Sequence, residues 1–212
     1  MNIQKERMRT FGDRPSMGLS ITHLDEVVLG AKGEIFLEMT DGRTGEILEK
    51  RHIKNVITLD VSILAAILLR DPTSRLNGIS MLGVGTGATG ALLSPDAPDP
   101  RQRKLNAEIA RKPFTSKIFR DGDGNAVSIP TNIVDFTTTF DEAEAVGPLN
   151  EMGLMSTISN NPLVTNPNPN TFPTRDLTVD LSLYDILCNY LTFPCLAKPA
   201  TARLTLTWRI TF

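Results

Sequence analysis

A glycine-rich stretch comes nearest to a ligand-binding motif in this sequence. Residues 85–90 read Gly-Thr-Gly-Ala-Thr-Gly, which satisfies the G-x-G-x-x-G pattern of dinucleotide-binding proteins. In those proteins the third glycine opens a helix whose N-terminus faces the pyrophosphate. Residues 91–100 contain three prolines, which interrupt a helix, and no Lys-Ser/Thr pair follows as a P-loop requires. We therefore interpret residues 83–90, the glycine loop, as a structural turn at the exit of a strand formed by residues 79–82.

A second stretch has the spacing of the first calcium ligands in an EF-hand. Asp121, Asp123 and Asn125 match the first three ligand positions, but Ala126 and Asn132 stand where the glycine and the bidentate glutamate are required. Asp-Gly and Gly-Asn pairs are typical of hairpin turns. We expect a hairpin turn here and no bound metal.

The histidines and cysteines form no recognisable catalytic or metal-binding set. His23 and His52 stand in polar segments without a paired nucleophile, which leaves Ser-His-Asp or Cys-His catalysis without support. Cys188 and Cys195 lack partners for a zinc site, and we expect both to be buried reduced thiols. The basic run at residues 101–104 would suit a phosphate, but a solvated loop is the simpler interpretation.

Composition and charge exclude several classes of function. The 22 Lys and Arg residues against 24 Asp and Glu residues give a formal net charge of −2, so no global field attracts nucleic acid or an anionic membrane. The longest apolar run, residues 59–69, is about half of the roughly 20 residues that span a bilayer. Residues 1–9 are charged and do not resemble a signal peptide. Residues 141–144 form an acidic turn, but nothing forces a pocket around its carboxylates. We therefore predict a soluble protein without catalytic residues, cofactor, metal, nucleic-acid partner or membrane partner.

Many short strands with frequent turns predict a mainly β fold. The expected strands begin with a meander formed by residues 26–29, 34–39 and 46–54, with turns at 30–33 and 41–45. The later strands are residues 114–120, 126–140, a short strand from 151, 177–183 and 204–212. In the last of these, alternation places five side chains on one buried face: Leu204, Leu206, Trp208, Ile210 and Phe212. The apolar positions of residues 126–140 change parity after residue 132, which indicates a bulge or a passage between sheets. Residues 105–111 are expected to form a short turn or helix.

One helix is predicted at about residues 58–70, with Thr58 as its N-cap and Asp60 in its first turn. Because its residues are apolar nearly all round, we expect it to be buried. These elements predict an antiparallel β-sandwich with one buried α-helix, in a single β-rich domain of residues 21–212.

Two further segments fall outside the regular elements. Residues 1–20 read as an extended N-terminal arm, either disordered or docked on a neighbouring subunit. Residues 159–176 form a long loop rich in Asn and Pro, and loops of this length are usually functional or mobile.

Short motifs in a characteristic order connect the sequence to one group of proteins. The chain resembles the attachment region of tail-collar fibre proteins and related tail, baseplate or neck-associated proteins of tailed bacteriophages. In that group a strand ends in a Gly-x-Gly-Thr/Asp-Gly loop, a Leu-x-x-Glu…Arg segment follows, and a later strand carries Glu-x-Gly-Leu. The matching segments here are Asn-Val-Ile-Thr at 55–58, Ile-Ser-Met-Leu-Gly-Val-Gly-Thr-Gly at 79–87, Leu-Asn-Ala-Glu at 105–108 with Arg111, Leu-Asn-Glu-Met-Gly-Leu at 149–154, and the closing segment from 191–194 to 208–210. The resemblance spans roughly residues 55–212 and includes no collagen-like, heptad or β-helical repeat.

The resemblance implies a non-enzymatic structural component of the virion, made in the host cytoplasm, in the form of a compact adaptor or short fibre. Its implied partners are other phage virion proteins and further copies of itself, arranged as a trimer or a ring. Alternatives are a receptor- or carbohydrate-binding virion module, a capsid decoration protein, or an enzyme that uses the glycine loop for a nucleotide or the Asp-Gly turn for a metal. The aromatic content of 6% argues against a sugar-stacking platform. We also predict that an ion pair among Glu108, Arg111 and Glu151 fixes the glycine loop.

Overall fold

The computed structural model describes residues 30–70, 78–157 and 185–212. Within these ranges the chain forms one α-helix and twelve β-strands. In chain order they are β1 (Lys32–Asp41), β2 (Ile47–Ile57), α1 (Asp60–Arg70), β3 (Met81–Gly85), β4 (Gly90–Ala91), β5 (Ser94–Pro95), β6 (Glu108–Pro113), β7 (Ser116–Arg120), β8 (Ala126–Val127), β9 (Ile133–Phe140), β10 (Gly147–Ser156), β11 (Ile186–Lys198) and β12 (Ala202–Thr211).

Ten of these strands form one sheet that turns a corner at β2. Their order is β6-β3-β10-β11-β2-β1-β12-β9-β7-β8, while β4 and β5 form a separate hairpin. β2 pairs antiparallel with β1 along residues 47–55, but with β11 only through Val56 and Ile57. A single cluster of buried apolar side chains draws on both halves of the sheet. The fold is therefore an antiparallel β-sandwich, as predicted.

Alternating side chains build the core of this sandwich. On β12 the predicted face is buried at Leu204, Leu206, Trp208 and Ile210. Phe212 is the exception at 49% exposure, because it follows the last residue of β12 and is held through its backbone, whose N–H and carbonyl both bond to Asn132. The prediction for this face is confirmed except at its final residue.

The predicted helix is present, and it is buried on one face. Of the residues in α1, only Asp60, Val61 and Leu64 are buried, and Leu69 is 87% exposed. Among the described elements, the strand that α1 contacts most is β11, so only one face of the helix is covered. The apolar residues of a helix show which of its faces can be buried, but the neighbouring elements determine which faces are buried.

The start of α1 also differs from the predicted capping arrangement. The Thr58 hydroxyl donates a hydrogen bond to the carbonyl of Leu187 on β11, so it links the helix start to the sheet. Asp60 forms an ion pair with Arg103 at 2.9 Å. Arg103 is itself buried, which corrects the interpretation of the 101–104 run as a wholly solvated loop.

Two local predictions are wrong because strand pairing overrides the local pattern. Residues 105–111 were expected to form a turn or helix, but β6 begins at Glu108 and pairs with β3. The predicted strand at 126–140 is divided into β8 and β9, which lie on opposite sides of β7. The change of parity after residue 132 therefore marks a break between two strands.

The predicted meander holds where it is described. β1 and β2 are joined by a turn in which the Asp41 carboxylate accepts hydrogen bonds from the backbone N–H groups of Arg43 at 3.0 Å and Thr44 at 2.7 Å. The predicted turn at 30–33 is too long, since Lys32 and Gly33 already pair with β12. The predicted strands at 26–29 and 177–183, the arm at 1–20 and the loop at 159–176 lie outside the described residues.

Candidate functional site

The three central segments of the phage resemblance become neighbouring strands. β3, which carries the start of the glycine loop, lies between β10 and β6. In register, Gly85 of β3 faces Glu151 of β10 on one side and Glu108 of β6 on the other. Residues far apart in the sequence thus converge at the point where the glycine loop leaves the sheet.

The glycines at this point are required by close packing. A Cβ atom placed on Gly85 would lie 2.5 Å from the carbonyl oxygen of Ala107 and 2.6 Å from Oε1 of Glu151. On Gly87 it would lie 2.4 Å from the Ala107 nitrogen and 2.8 Å from the same carboxylate oxygen. The glycines therefore leave room for a carboxylate that binds the loop.

Glu151 binds three backbone N–H groups of the surrounding loops. Its Oε1 accepts hydrogen bonds from Gly87 at 3.0 Å and Ala107 at 2.7 Å. Its Oε2 accepts from Asn106 at 3.0 Å and from the Tyr190 hydroxyl at 2.9 Å. We call these five residues the Glu151 network. Four donors around one fully buried carboxylate replace the water that it leaves behind.

Tyr190 is held in its protonated form in this network. Burial, together with the neighbouring Glu151 charge, raises the pKa of the Tyr190 hydroxyl well above its usual value of 10. The phenol therefore remains a hydrogen-bond donor throughout the ordinary pH range. Sequence inspection did not identify Tyr190, because its role depends on β11 lying beside β10.

An ionic triad lies beside the Glu151 network. The Arg111 guanidinium contacts Glu108 through Nε and through Nη2, the latter at 2.6 Å, and contacts Asp185 through Nη1 at 2.6 Å. Arg111 is fully buried. Burial raises the pKa of Glu108 above its usual 4.5, even though hydrogen bonding and charge from Arg111 act in the opposite direction. Asp185 was not identified from the sequence, since no local motif surrounds it.

The predicted ion pair therefore exists, but it does not bind the glycine loop directly. Arg111 pairs with Glu108, whereas the loop is held by Glu151 through hydrogen bonds to backbone N–H groups. Asn150 adds a further contact, because its Oδ1 accepts a hydrogen bond from the N–H of Ala88 at 3.0 Å. With each oxygen of Glu151 accepting two hydrogen bonds, the carboxylate acts as a structural acceptor and is poorly placed as a catalytic base.

The other stretches with possible chemistry have structural roles in the described ranges. After Gly90 the chain forms the β4–β5 hairpin, where a nucleotide site would need a helix. At the calcium-like stretch, the Asp121 carboxylate accepts hydrogen bonds from the N–H groups of Asp123 at 3.0 Å and Asn125 at 2.7 Å. These turn contacts lower the pKa of Asp121. Within the described ranges, no three His, Cys, Asp or Glu side chains converge in the manner of a metal site.

The remaining histidine and cysteine predictions have mixed outcomes. The ring of His52 stacks on Phe36 at a centroid distance of 4.5 Å, and its Nε2 lies 3.3 Å from Glu34 Oε2. Cys188 is buried, as predicted, whereas Cys195 is only partly buried. His23 lies outside the described residues.

A second buried carboxylate lies in the other half of the sandwich. Asp135 on β9 accepts hydrogen bonds from Arg209 at 2.7 and 3.0 Å and from Arg120 at 2.7 Å. We call these three residues the Asp135 cluster. Burial opposes ionisation of Asp135, but the hydrogen bonds from Arg209 and Arg120 outweigh it and hold its pKa below the usual 3.8.

The predicted acidic turn at 141–144 is neutralised by nearby cations. Glu144 pairs with Lys112 at 2.7 Å, and Glu142 pairs with Arg203 at 3.1 Å. The buried Lys198 donates hydrogen bonds to the carbonyls of Asp141 at 3.0 Å and of residue 202 at 2.7 Å. Burial lowers the pKa of Lys198. The turn thus joins neighbouring strands.

Comparison with known proteins adds no family assignment. No protein-family model matches this chain, and no curated protein sequence is significantly similar to it. In the described ranges, α1 is too short to cross a membrane and no other helix is found there.

Proposed function

We propose that this chain is a non-enzymatic structural subunit of a tailed-bacteriophage particle, in the tail, baseplate or neck, that packs against other virion proteins. The observation that carries the proposal is the convergence of the resembling segments on one hydrogen-bonded unit. The glycine loop and the segments 105–111 and 149–154 are separate in sequence, yet β3, β6 and β10 are adjacent. The residue types that define the resemblance are those that bind the unit together.

The chemistry of this unit suits a rigid scaffold. The carboxylate of Glu151 and the guanidinium of Arg111 are fully buried and hydrogen-bonded inside the protein. Glu151 holds the backbone where the glycine loop leaves the sheet, and Arg111 connects β6, the neighbour of β3, to Asp185. A rigid scaffold that presents a fixed loop supports a role in assembly, where recognition depends on shape that exists before contact.

A receptor- or glycan-binding role is the second candidate, and one surface favours it. A groove of about 580 Å³ crosses β2, β1 and β12 and is lined by Phe36, Lys50, His52 and Thr207 among others. The stacked rings and the hydroxyl group offer both apolar and hydrogen-bonding contacts. A glycan-binding assay with Thr207→Val and His52→Ala variants tests this candidate. Unchanged binding by both variants would exclude this groove as the glycan-binding site.

The main proposal is tested on particles from the host that carries this gene. Mass spectrometry of purified particles identifies the chain, and labelling with a specific antibody locates it. We expect the chain in the particles at a copy number set by ring or trimer symmetry. A chain that stays in the lysate and is missing from intact particles would contradict the proposal.

A matched pair of variants connects this experiment to the structure. Glu151→Gln removes acceptors from the Glu151 network, so we expect fewer copies of that variant in particles. Ile129→Ser changes a side chain that is 73% exposed and outside that network, and its incorporation should equal that of the parent chain.

A further inference from the structure

Two large apolar side chains stand exposed at the tip of the β4–β5 hairpin. Leu92 is 64% exposed and Leu93 is 81% exposed, and they form the two-residue connection between β4 and β5. We call them the leucine tip. Adjacent leucines at the end of a hairpin are costly to hydrate, and exposed apolar groups of this kind mark interaction sites when they are held in place.

The backbone beneath the leucine tip is fixed by several hydrogen bonds. The carbonyl of Leu92 accepts from the N–H of Cys195 on β11 at 2.8 Å, and the N–H of Asp96 donates to the carbonyl of Thr89 at 2.8 Å. The Thr192 hydroxyl donates to the carbonyl of Asp96 at 2.6 Å. The two leucines therefore project from an ordered base, which reduces the entropy lost when they bind.

An apolar groove on α1 offers a surface of matching chemistry. It has a volume of about 410 Å³ and is lined by Ser62, Ile63, Ala66, Ile67 and Arg70. Ala66 is exposed. Arg70 is the one charged residue among its described lining residues.

The leucine tip and the start of α1 lie at different points along β11. The N–H of Thr58, two residues before α1, donates to the carbonyl of Cys188, whereas the leucine tip is held at Cys195. Seven residues of strand separate these points by roughly 20 Å. A leucine side chain does not reach across such a distance to the start of α1, so we expect a contact between the tip and this end of the groove to join two molecules.

We propose that the leucine tip of one copy inserts into the α1 groove of a second copy. The charges near the two surfaces agree with this pairing, because Asp96 is exposed at the base of the hairpin that carries the tip and Arg70 is exposed at the groove. Opposite charges at the rim of a contact favour the correct orientation. The contact rests on the proposed function only for the expectation that this chain packs against other subunits.

The geometry of this contact determines the type of assembly. The tip and the groove are different surfaces, so the contact is head-to-tail, and each copy offers one of each. Such heterologous contacts generate a closed ring when the rotation between copies closes, and a filament when it does not. The buried area at one contact is small, so the association is weak. Few copies associate in dilute solution, and a larger fraction associates where subunits are concentrated.

The first test measures association of the full chain by sedimentation velocity from micromolar to submillimolar concentration. The parent is compared with the double variant Leu92→Ser/Leu93→Ser and with Ile129→Ser, which changes an apolar residue of similar exposure elsewhere. We expect the double variant to weaken the association constant by about tenfold or more for each leucine, and the control to leave it unchanged. A parent chain that remains monomeric, or equal association by all three proteins, would overturn the proposal.

The second test reports the pairing directly by disulfide cross-linking. Leu93→Cys and Ala66→Cys are made as separate proteins in a Cys195→Ser background, which keeps the backbone hydrogen bond from residue 195 to Leu92; the other native cysteine, Cys188, is buried. Mixing the two under mild oxidation should give cross-linked dimers faster than either variant alone. The Ile129→Cys variant mixed with Ala66→Cys is the matched control, and cross-linking at the same rate would contradict the pairing.

Two other occupants are distinguished by the same proteins. If another segment of the same chain covers the groove, Ala66→Cys reacts slowly with a small maleimide even in dilute monomer, and the proposal is wrong. If the leucine tip binds lipid, the parent chain floats with phosphatidylcholine–phosphatidylglycerol vesicles and the double serine variant does not, which also overturns it. Failure of tip-to-groove pairing in a chain found within particles would leave the proposed function standing.

Discussion

Glu151 and Asp135 are both buried carboxylates, one in each half of the sandwich, and their charges are balanced by different partners. Glu151 accepts hydrogen bonds from three backbone N–H groups and a phenol, all of them neutral. Asp135 accepts only from the guanidinium groups of Arg120 and Arg209. The first arrangement fixes loop backbone, whereas the second joins the side chains of three neighbouring strands.

The two sites should respond differently when the carboxylate is removed, because different hydrogen-bond donors are left without their acceptor. Backbone N–H groups are fixed by the chain and cannot swing toward another acceptor as a side chain can, so without the buried Glu151 carboxylate their hydrogen bonds stay unsatisfied. The side chains of Arg120 and Arg209 are each 25% exposed, so water can replace Asp135 in part. The loss of stability near the glycine loop should therefore exceed the loss at the Asp135 cluster, although both carboxylates are buried.

The largest expected effect is that of Arg111→Met. The substitution leaves Glu108 and Asp185 buried without their shared cation, and breaking a buried pair in this way costs about 3–5 kcal/mol of unfolding free energy. Urea denaturation measures the loss, with Arg203→Met as a control because Arg203 is half exposed in its ion pairs. A loss below about 1 kcal/mol would mean that the triad contributes no more than a surface pair.

Next in size is Glu151→Gln, for which we expect a loss of about 3 kcal/mol in unfolding free energy. The amide NH₂ group would face N–H donors where the carboxylate accepted hydrogen bonds. Hydrogen exchange should accelerate at Gly87 and Ala107, whose N–H groups bind Glu151. Unchanged exchange at both positions would show that Glu151 does not hold the glycine loop.

Asp135→Asn should have a smaller effect, about 1–2 kcal/mol in the same urea measurement. The two arginines lose a charged acceptor but keep access to water. This variant is the direct counterpart of Glu151→Gln, since each replaces a buried carboxylate by its amide. An equal or larger loss at Asp135 would contradict the contrast drawn between neutral and charged partners.

The smallest expected effect is the pH dependence of the stability difference between the parent chain and Asp135→Asn. Because the pKa of Asp135 is held below its ordinary 3.8, its contribution to stability is fully present above 3.8 and is lost as the pH falls through its lower value in the folded state. The stability difference between parent and Asp135→Asn should therefore be constant near neutral pH and shrink below 3.8. A difference that grows on acidification would show the opposite sign of shift.

Local patterns predicted the elements whose burial depends on alternation alone. Leu206 and Trp208 were assigned to a buried face because strand side chains alternate and each apolar position is two residues from the next. The turn at residues 41–45 was equally local, since Asp41 accepts hydrogen bonds from its own neighbours in sequence. No knowledge of partner strands was needed for either prediction.

Other features depended on contacts between distant parts of the chain. Glu108 and Arg111 were singled out within one motif, but Asp185, which completes their triad, is 74 residues from Arg111. Tyr190 joins Glu151 only because β10 and β11 pair. The exposed face of α1 was missed for the same reason, because the elements packed around a helix are not written in its own residues.

The sequence by itself determined the class of fold, the alternating core faces, the hairpin turns and the residue types gathered around the glycine loop, because these depend on interactions among near neighbours. The tertiary structure decided which strands lie side by side, and therefore that Glu151 binds the loop while Arg111 pairs with Glu108 and Asp185. It also decided that only one face of α1 is covered by other elements and that Leu92 and Leu93 remain exposed. Pairing of distant strands fixes the partners of each buried charge, and that pairing is a property of the whole chain.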